Sequence, residues 1–427
     1  MSKPTFVISS PFNTMSGYGA RSRDIIKAII QTEKYDVKLL TQKWGETAWD
    51  FCETHDEWKF LLDYQLPHNQ LSSKPDIWMQ ISIPNEFQPV GKYNIGCTAG
   101  IEATLCKAEW IEGLNKMDLN LVSSEFSKNT FKNSIYQKTD SRTKQAIGEV
   151  KLQKPIEVVF EGVDIKKYLP KPSTNIDLSS IKEEFCYLFV GHWMQGDFSH
   201  DRKNVSLLVK SFYEVFKNKK KKPALILKSS IGSASYLSRN EILDRIKKIR
   251  KTVNSKNLPN IYVFNGEISD EEMNQLYNHP KVKAMVSLTK GEGFGRPLLE
   301  FSLVNKPIIT TNFSGHTDFL DPEFTTLLGG ELEKVHKSAA NKWLIEEAEW
   351  FKVNNGEVGK AFKYVYEKYK DYKIKAKKQG YKNRNIFSFE KMQELVGDIL
   401  DRNIPNFPKE MELKLPELNL PKLEKLK

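Results

Sequence analysis

The sequence predicts an α/β protein made of two doubly wound domains, each a parallel sheet covered by helices on both faces. Three observations lead there. Short apolar, β-branched runs alternate with amphipathic helical stretches over most of the chain. The runs are apolar almost throughout instead of at every second residue, as strands buried on both faces must be. The alternation also occurs twice, in two series separated by a stretch without periodicity. A chain of 427 residues accommodates both, since single cores stop growing at about 250–300 residues.

The first series has strands expected at 6–10, 36–40, 76–82, 93–98, 119–124 and 156–162, with helices near 18–31, 107–117 and 124–134. The second has strands at 186–191, 224–230, 261–266, 283–289 and 307–312. Its helices fall near 204–216, 237–253, 270–278 and 296–304. The break lies in "GVDIKKYLPKPSTNIDLSS", where prolines, serines and charges replace the pattern. We therefore expect an N-terminal domain over 1–170 and a C-terminal domain over 171–385. Residues 342–401 read as helical throughout. The last of these helices, 386–401, starts with Ser388 as cap and Phe387 and Met392 at the spacing of a hydrophobic staple. The tail, 402–427, repeats proline among leucine and lysine and is expected to be flexible.

Composition narrows the function. Hydrophobic residues make up 39% of the chain and aromatic ones 11%, enough for globular packing, and a mean hydropathy of −0.51 argues against a membrane protein. No run approaches the ~18–20 apolar residues that span a bilayer. The N-terminus lacks a charged-then-apolar signal layout, and Cys52, Cys97, Cys106 and Cys186 are scattered without metal-ligand spacing. A reducing cytoplasm is the expected compartment. The net charge of +11 gathers in "KNKKKK" at 217–222, "KIRK" at 248–251 and a lysine-rich stretch over 368–384. Such runs serve as solvated helical faces. They also fit a polyanionic partner: nucleic acid, an anionic lipid surface or a phosphorylated glycan.

The informative stretch is "SLTKGEGFGRPLLEFSLVNKPIITTN", residues 287–312. A buried strand ends in a turn with Gly291, Gly293 and Gly295, and a helix opens at Pro297. Glycines let the backbone approach a ligand closely, and a helix start favours an anion such as a diphosphate. Glu292, on the turn, can accept hydrogen bonds from sugar hydroxyls, and Glu300, a turn into the helix, can take both hydroxyls of a ribose. Either acid alone would pass as an ordinary surface or helix-start glutamate. Together, on the carboxyl edge of a parallel sheet, they describe a nucleotide-sugar site.

These residues carry a family resemblance. E-G-F-G-x-P-x-x-E followed by "NKPIITTNFSGHTDFL" resembles the signature of family 4 retaining glycosyltransferases, which have the GT-B fold. "VVFEGVDIKKYLP" is similar to that family's passage between domains. "FVGHWMQGDFSHDRKNVSLLVKSF" is similar to its first C-domain unit, and "FSFEKMQELVGDIL" to its terminal helix returning to the N-domain. The N-terminal half, above all "TAGIEATLCKAEWIEGLNKMDLNLVSSEFSKNTF", is also similar to glycosyltransferases carried by tailed phages.

The resemblance implies roles. A basic pair after the first C-domain strand neutralises the donor diphosphate. The usual arginine is His192 here, a departure, and the usual lysine falls on Lys203 beside Arg202. Lys228, ending another strand, is the expected replacement for the missing cation, because a departing diphosphate needs at least two fixed positive charges. Gly17 and Gly19 resemble the loop that approaches the donor phosphates from the N-domain, although G-x-G alone is a weak signal. Arg21 is placed to reach an anionic group on either substrate. Glu102, in "GCTAGIEAT", is the candidate polar group on the acceptor side. Ser314 and His316, at a further strand end, and Phe294, in the glycine turn, are expected beside the nucleotide.

The expected catalytic set is thus Glu292, Lys203, Lys228 and Glu102, with Glu300 on the ribose. No D-x-D motif or metal-spaced cluster occurs in the sequence, so no metal and no cofactor beyond the co-substrate is expected. The acceptor is a glycan or, given the charge and the phage-like half, hydroxymethylated bases of DNA. Two other readings fit the same fold: a non-catalytic nucleotide-sugar binder and a nucleotide-sugar epimerase.

Overall fold

The computed structural model describes residues 3–407 except 46, 141 and 144; most of the tail, 408–427, lies outside the described residues. The N-terminal half runs β1 (Thr5–Ser10), α1 (Gly17–Gln31), β2 (Asp36–Thr41), α2 (Phe51–Thr54), β3 (Ile77–Ile81), β4 (Tyr93–Cys97), α3 (Ala108–Asn115), β5 (Leu119–Val122) and α4 (Glu125–Asn133). An antiparallel hairpin, β6 (Tyr136–Thr139) and β7 (Ala146–Val150), precedes β8 (Ile156–Val158). Six of these strands form one parallel sheet in the order β2-β1-β3-β4-β5-β8.

The second half repeats the plan. It runs β9 (Cys186–Val190), α5 (Val205–Phe216), β10 (Ala224–Lys228), α6 (Tyr236–Lys251), β11 (Ile261–Phe264), α7 (Asp270–Asn278), β12 (Val282–Ser287), α8 (Arg296–Ser302), β13 (Ile308–Thr311) and β14 (Thr326–Leu328). The sheet order is β11-β10-β9-β12-β13-β14, again all parallel. Then come the antiparallel pair β15 (Gly330–Lys334) and β16 (Glu349–Val353), and the helices α9 (Asn355–Glu367), α10 (Tyr369–Ile386) and α11 (Phe389–Asn403).

Side-chain alternation along β9 shows why these strands are apolar throughout. Tyr187 and Phe189 enter one apolar layer with Val209, Phe212 and Leu225, while Cys186 and Leu188 enter the other with Ile226, Leu299 and Phe301. Each fully buried side chain of this size contributes ~1.5–3 kcal/mol. α11 does not pack with the second sheet. Its Met392, Val396, Ile399 and Leu400 join Phe6, Ile25 and Ile29 of the first, and the amide of Phe389 bonds to the carbonyl of Val163 where the chain first crosses.

The sheet orders fix where a ligand can sit. Successive strands depart to opposite sides of β9 in the second sheet and of β1 in the first, and crevices form beyond the carboxyl ends of such strands. The segments after β9 and β12 therefore flank the crevice of the second domain. Across from them lies the N-domain segment after β4.

Two expectations fail. Residues 342–401 are not helical throughout, because 349–353 is strand β16. Trp350 and Phe351 are both buried, and the strand completes a hairpin with β15. A short apolar run flanked by charges has no period of its own to separate strand from helix. The expected strand over 156–162 stops at Val158, since the chain there leaves the sheet to cross between domains.

Candidate functional site

β9 and β12, adjacent in the sheet, deliver two loops to the same point. The loop after β9 carries Arg202 and Lys203 into α5; the turn after β12 carries Glu292 into α8. Lys203 Nζ donates to both oxygens of Glu292, at 2.5 and 2.7 Å, and Arg202 Nη1 lies 3.6 Å from the same carboxylate. The Arg202 fork also donates to the Gly291 carbonyl at 2.9 Å and reaches Glu102 of the N-domain at 3.4 Å. One chain of charges thus crosses from domain to domain: Glu102, Arg202, Glu292, Lys203.

Burial alone would raise the Glu292 carboxyl, but Lys203 and then Arg202 more than offset it and hold the group at about 2. It is ionised at neutral pH. Its backbone is equally fixed. The Glu292 amide donates to Ser314 Oγ at 2.8 Å, and Gly315 N donates to the Glu292 carbonyl at 3.0 Å. A side chain at Gly291 would place its first carbon 1.8 Å from the Glu102 carbonyl oxygen, so only glycine lets the two domains touch here. Gly295 sits at φ 98, in the left-handed region, and redirects the chain into α8.

Glu300 is in a different setting. It is buried, and Tyr277 Oη and Arg296 Nε donate to its two oxygens at 3.2 and 3.1 Å. Burial pushes its carboxyl up to about 7 despite Arg296. Arg296 also donates to Asp24 of α1 at 2.6 Å, making a second ionic link between the domains. An arginine at a helix start opposes the macrodipole, and these two carboxylates are what hold it there. α8 is seven residues long, so anion binding at this edge depends on side-chain cations more than on its dipole.

The remaining expected residues divide into those at the crevice and those behind it. Lys228, half-buried at the end of β10, donates to the Gly266 carbonyl at 2.6 Å, and burial lowers its pKa. His192 bonds through Nδ1 to Ser230 Oγ at 2.9 Å. Desolvation and the positive charges of Lys203, Arg202 and Lys228 lower its pKa, which works against a role as the missing cation. Gly17 opens α1, and Gly19, one turn in, donates its amide to the capping Ser16. Gly293 faces the N-domain, where Ser123 Oγ donates to its carbonyl at 3.2 Å.

Three side chains lie elsewhere than expected. Phe294 is turned into the core against Phe319, with ring centroids 4.9 Å apart, so only its backbone faces the crevice. Arg21 is enclosed, and its Nη2 donates to the Val159 carbonyl at 2.9 Å; it braces the crossing segment and does not reach into open space. His316 is fully buried with one ring nitrogen 2.6 Å from the Thr311 carbonyl, behind the turn that Ser314 supports.

Sequence reasoning missed Arg296, Asp24 and Tyr277. A cation in the first turn of α8 was a usable signal for Arg296. Nothing local marked Tyr277, whose hydroxyl reaches Glu300 only through the packing of α7 on α8. Among the described residues no group of three or more His, Cys, Asp or Glu is arranged to hold a metal.

Comparison with known proteins adds to this geometry. Residues 193–349 match the family model of glycosyl transferases group 1. No curated protein matches the chain. Among solved structures, a glycosyltransferase from Rickettsia africae is similar at TM-score 0.63 and 14% identity, over 95% of this chain and 100% of its own. A sucrose-phosphate synthase from Thermosynechococcus elongatus follows at 0.61 and 12%, over 94% and 98%. The Anabaena protein HepE, solved in complex with UDP-glucose, is similar at 0.56 and 13%, over 93% and 100%. The chain has the GT-B fold, and the segment matched by the glycosyltransferase model contains Arg202, Lys203, Lys228, Glu292, Glu300 and the glycine turn.

Proposed function

We propose that the protein is a glycosyltransferase that moves a sugar from a nucleoside-diphosphate sugar to an acceptor hydroxyl. The observation that carries this reading is the meeting of Lys203 and Glu292 at the crevice between β9 and β12, inside the segment matching glycosyl transferases group 1. HepE was solved with UDP-glucose, and an E. coli trehalose-6-phosphate protein with UDP-2-fluoro glucose. UDP-sugars are therefore the first donors to try.

In this reading the donor lies on the C-domain. Glu292 accepts hydrogen bonds from the sugar hydroxyls and Glu300 from the ribose diol. Lys203, Arg202 and Lys228 face the diphosphate. Glu292 also has a role before the donor arrives: as counter-ion it keeps Lys203 charged in a place where burial works against the ammonium. The bond from the anomeric carbon to the diphosphate oxygen breaks, and one from that carbon to the acceptor oxygen forms on the same face. Negative charge grows on the departing phosphate, where fixed cations stabilise the transition state more than the ground state. The acceptor proton leaves with the diphosphate. Retention of configuration and independence from metal belong to this proposal through the family resemblance. Contact of both domains around Glu102 and Gly291 excludes water, which would otherwise compete as acceptor.

Release of nucleoside diphosphate, measured with a panel of donors with and without EDTA, tests the proposal. A transferase releases it with at least one donor when an acceptor is supplied; a binder releases none. An epimerase converts the donor without any acceptor. Oligosaccharides against hydroxymethylated duplex DNA as acceptors decide between the two acceptor classes.

A further inference from the structure

α10 carries seven Lys or Arg residues and a single acid, Asp371. Its inner face is fully accounted for: Gln379 donates to the Phe319 carbonyl at 2.8 Å and Asn383 to Ser302 Oγ at 2.8 Å. The opposite face presents Lys370, Ile374, Lys377, Lys378 and Tyr381 at helical spacing. Ile374 is 60% exposed, Tyr381 73% and Ile386, at the helix end, 46%. Tyr381, Ile386 and Phe324 line an open groove of about 600 Å³ whose other walls are Asn385 and the stems of Lys377, Lys378 and Lys382.

The charges around this face are mostly uncompensated. Asp321 pairs with Lys382 at 2.8 Å, and Glu323 and Asp371 are exposed nearby. Among the described residues no acid lies within ion-pair distance of Lys370, Lys375, Lys377 or Lys378. A helix on the outside of a globular domain ordinarily turns its isoleucines inward. Here two isoleucines and a tyrosine stand outward among lysines; the helix as a whole is only weakly amphipathic, but this local patch matches the chemistry of a membrane interface. There the apolar side chains enter the headgroup boundary and long basic side chains extend to the phosphates.

We propose that this outer face of α10 docks on an anionic lipid bilayer. Charge complementarity selects the surface, and the apolar residues select lipid over nucleic acid, whose phosphates reward lysine but give isoleucine nothing. No helix among the described residues is long and apolar enough to cross a membrane, so the contact is peripheral. Docking leaves the crevice free. α10 crosses the far end of α8, with Gly380 against the Ser302 carbonyl and Asn305, whereas the glycine turn lies at the start of α8.

Sedimentation of the full chain with vesicles tests this. Binding is expected to vesicles of equal parts phosphatidylcholine and phosphatidylglycerol, and not to phosphatidylcholine alone. Lys370→Glu/Lys377→Glu/Lys378→Glu should lose more than ~100-fold in partitioning, from roughly fivefold for each lysine removed. Ile374→Ser/Tyr381→Ser, at constant charge, should also lose most binding. A control with the same charge change on an exposed loop, Lys219→Glu/Lys220→Glu/Lys221→Glu, should keep it. Nucleotide release without vesicles should be unchanged in all three. Absence of sedimentation, equal loss in the control, or full binding by Ile374→Ser/Tyr381→Ser overturns the proposal. So does binding of duplex DNA that depends on the α10 lysines but not on Ile374 and Tyr381.

Discussion

Replacing Lys203 by methionine keeps the length of the stem and removes the charge that Glu292 faces. Both side chains are largely buried, at 16% and 10% exposure, so little solvent screening intervenes. The Glu292 carboxyl sits at about 2 against an ordinary 4.5. At ~1.36 kcal/mol per pH unit that gap corresponds to about 3 kcal/mol of folding stability. The carboxyl is depressed in the folded state, so this stability is present above about pH 4.5 and lost as the pH falls towards 2. Lys203→Met leaves only Arg202, at 3.6 Å, against the desolvation of a buried carboxylate. The variant should therefore lose about 3 kcal/mol at neutral pH, in the range for breaking a buried pair. Its deficit should narrow as the solution is acidified. Urea unfolding followed by tryptophan fluorescence at several pH values reads both effects. Adding Glu292→Gln to the variant should recover on the order of 2 kcal/mol relative to the sum of the single changes. If Lys203→Met unfolds within ~0.5 kcal/mol of the parent at every pH, the pair behaves like a solvent-exposed contact and the reasoning fails.

Three further outcomes follow from the same geometry. Glu300, pushed up to about 7, should bind a ribose diol only when ionised. KM for the donor should fall as pH rises through about 7, by up to ~tenfold per unit below it, and Glu300→Gln should flatten that dependence; a flat profile in the parent would contradict the assignment. Gly291→Ala puts a methyl group against the Glu102 carbonyl; it should cost ~1–3 kcal/mol in urea unfolding and lower kcat by separating the domains. Trp350→Ala should cost ~3–5 kcal/mol in the same assay, because this fully buried ring joins β16 to Ala103 of the N-domain. A loss below ~1 kcal/mol would show that contact to be loose.

Much of the fold was legible because doubly buried strands leave long apolar runs that helices of clear amphipathicity separate. Both sheets appear where those runs predict them, except that the sixth strand of the second, β14, was not expected. β16 was not legible: "EWFKV" is too short to show a period, and its strand identity depends on β15, which is itself exposed and charged. The site divides similarly. The pairing of Glu292 with Lys203 could be anticipated, since both follow strands that a doubly wound order places side by side. The lowered pKa of His192 could not, because it depends on Arg202 and Lys203, ten and eleven residues on in the same loop, and on Lys228 at the end of β10 all coming near its ring. Nor could the link from Glu300 through Arg296 to Asp24, which spans 276 residues of sequence and forms only when the domains face each other. Phe294 misled because its neighbours in the glycine turn face the crevice while its ring fills the core.

The most direct measurement is a thermal-shift screen of nucleotide sugars against the parent protein, Lys203→Met and Glu300→Ala. A ligand that binds only the folded state at ~100 times its Kd adds about 2.7 kcal/mol of stability. At least one donor should raise the Tm of the parent, and each substitution should abolish or reduce that rise. A rise of equal size in all three proteins would place the donor away from Lys203 and Glu300 and contradict the account.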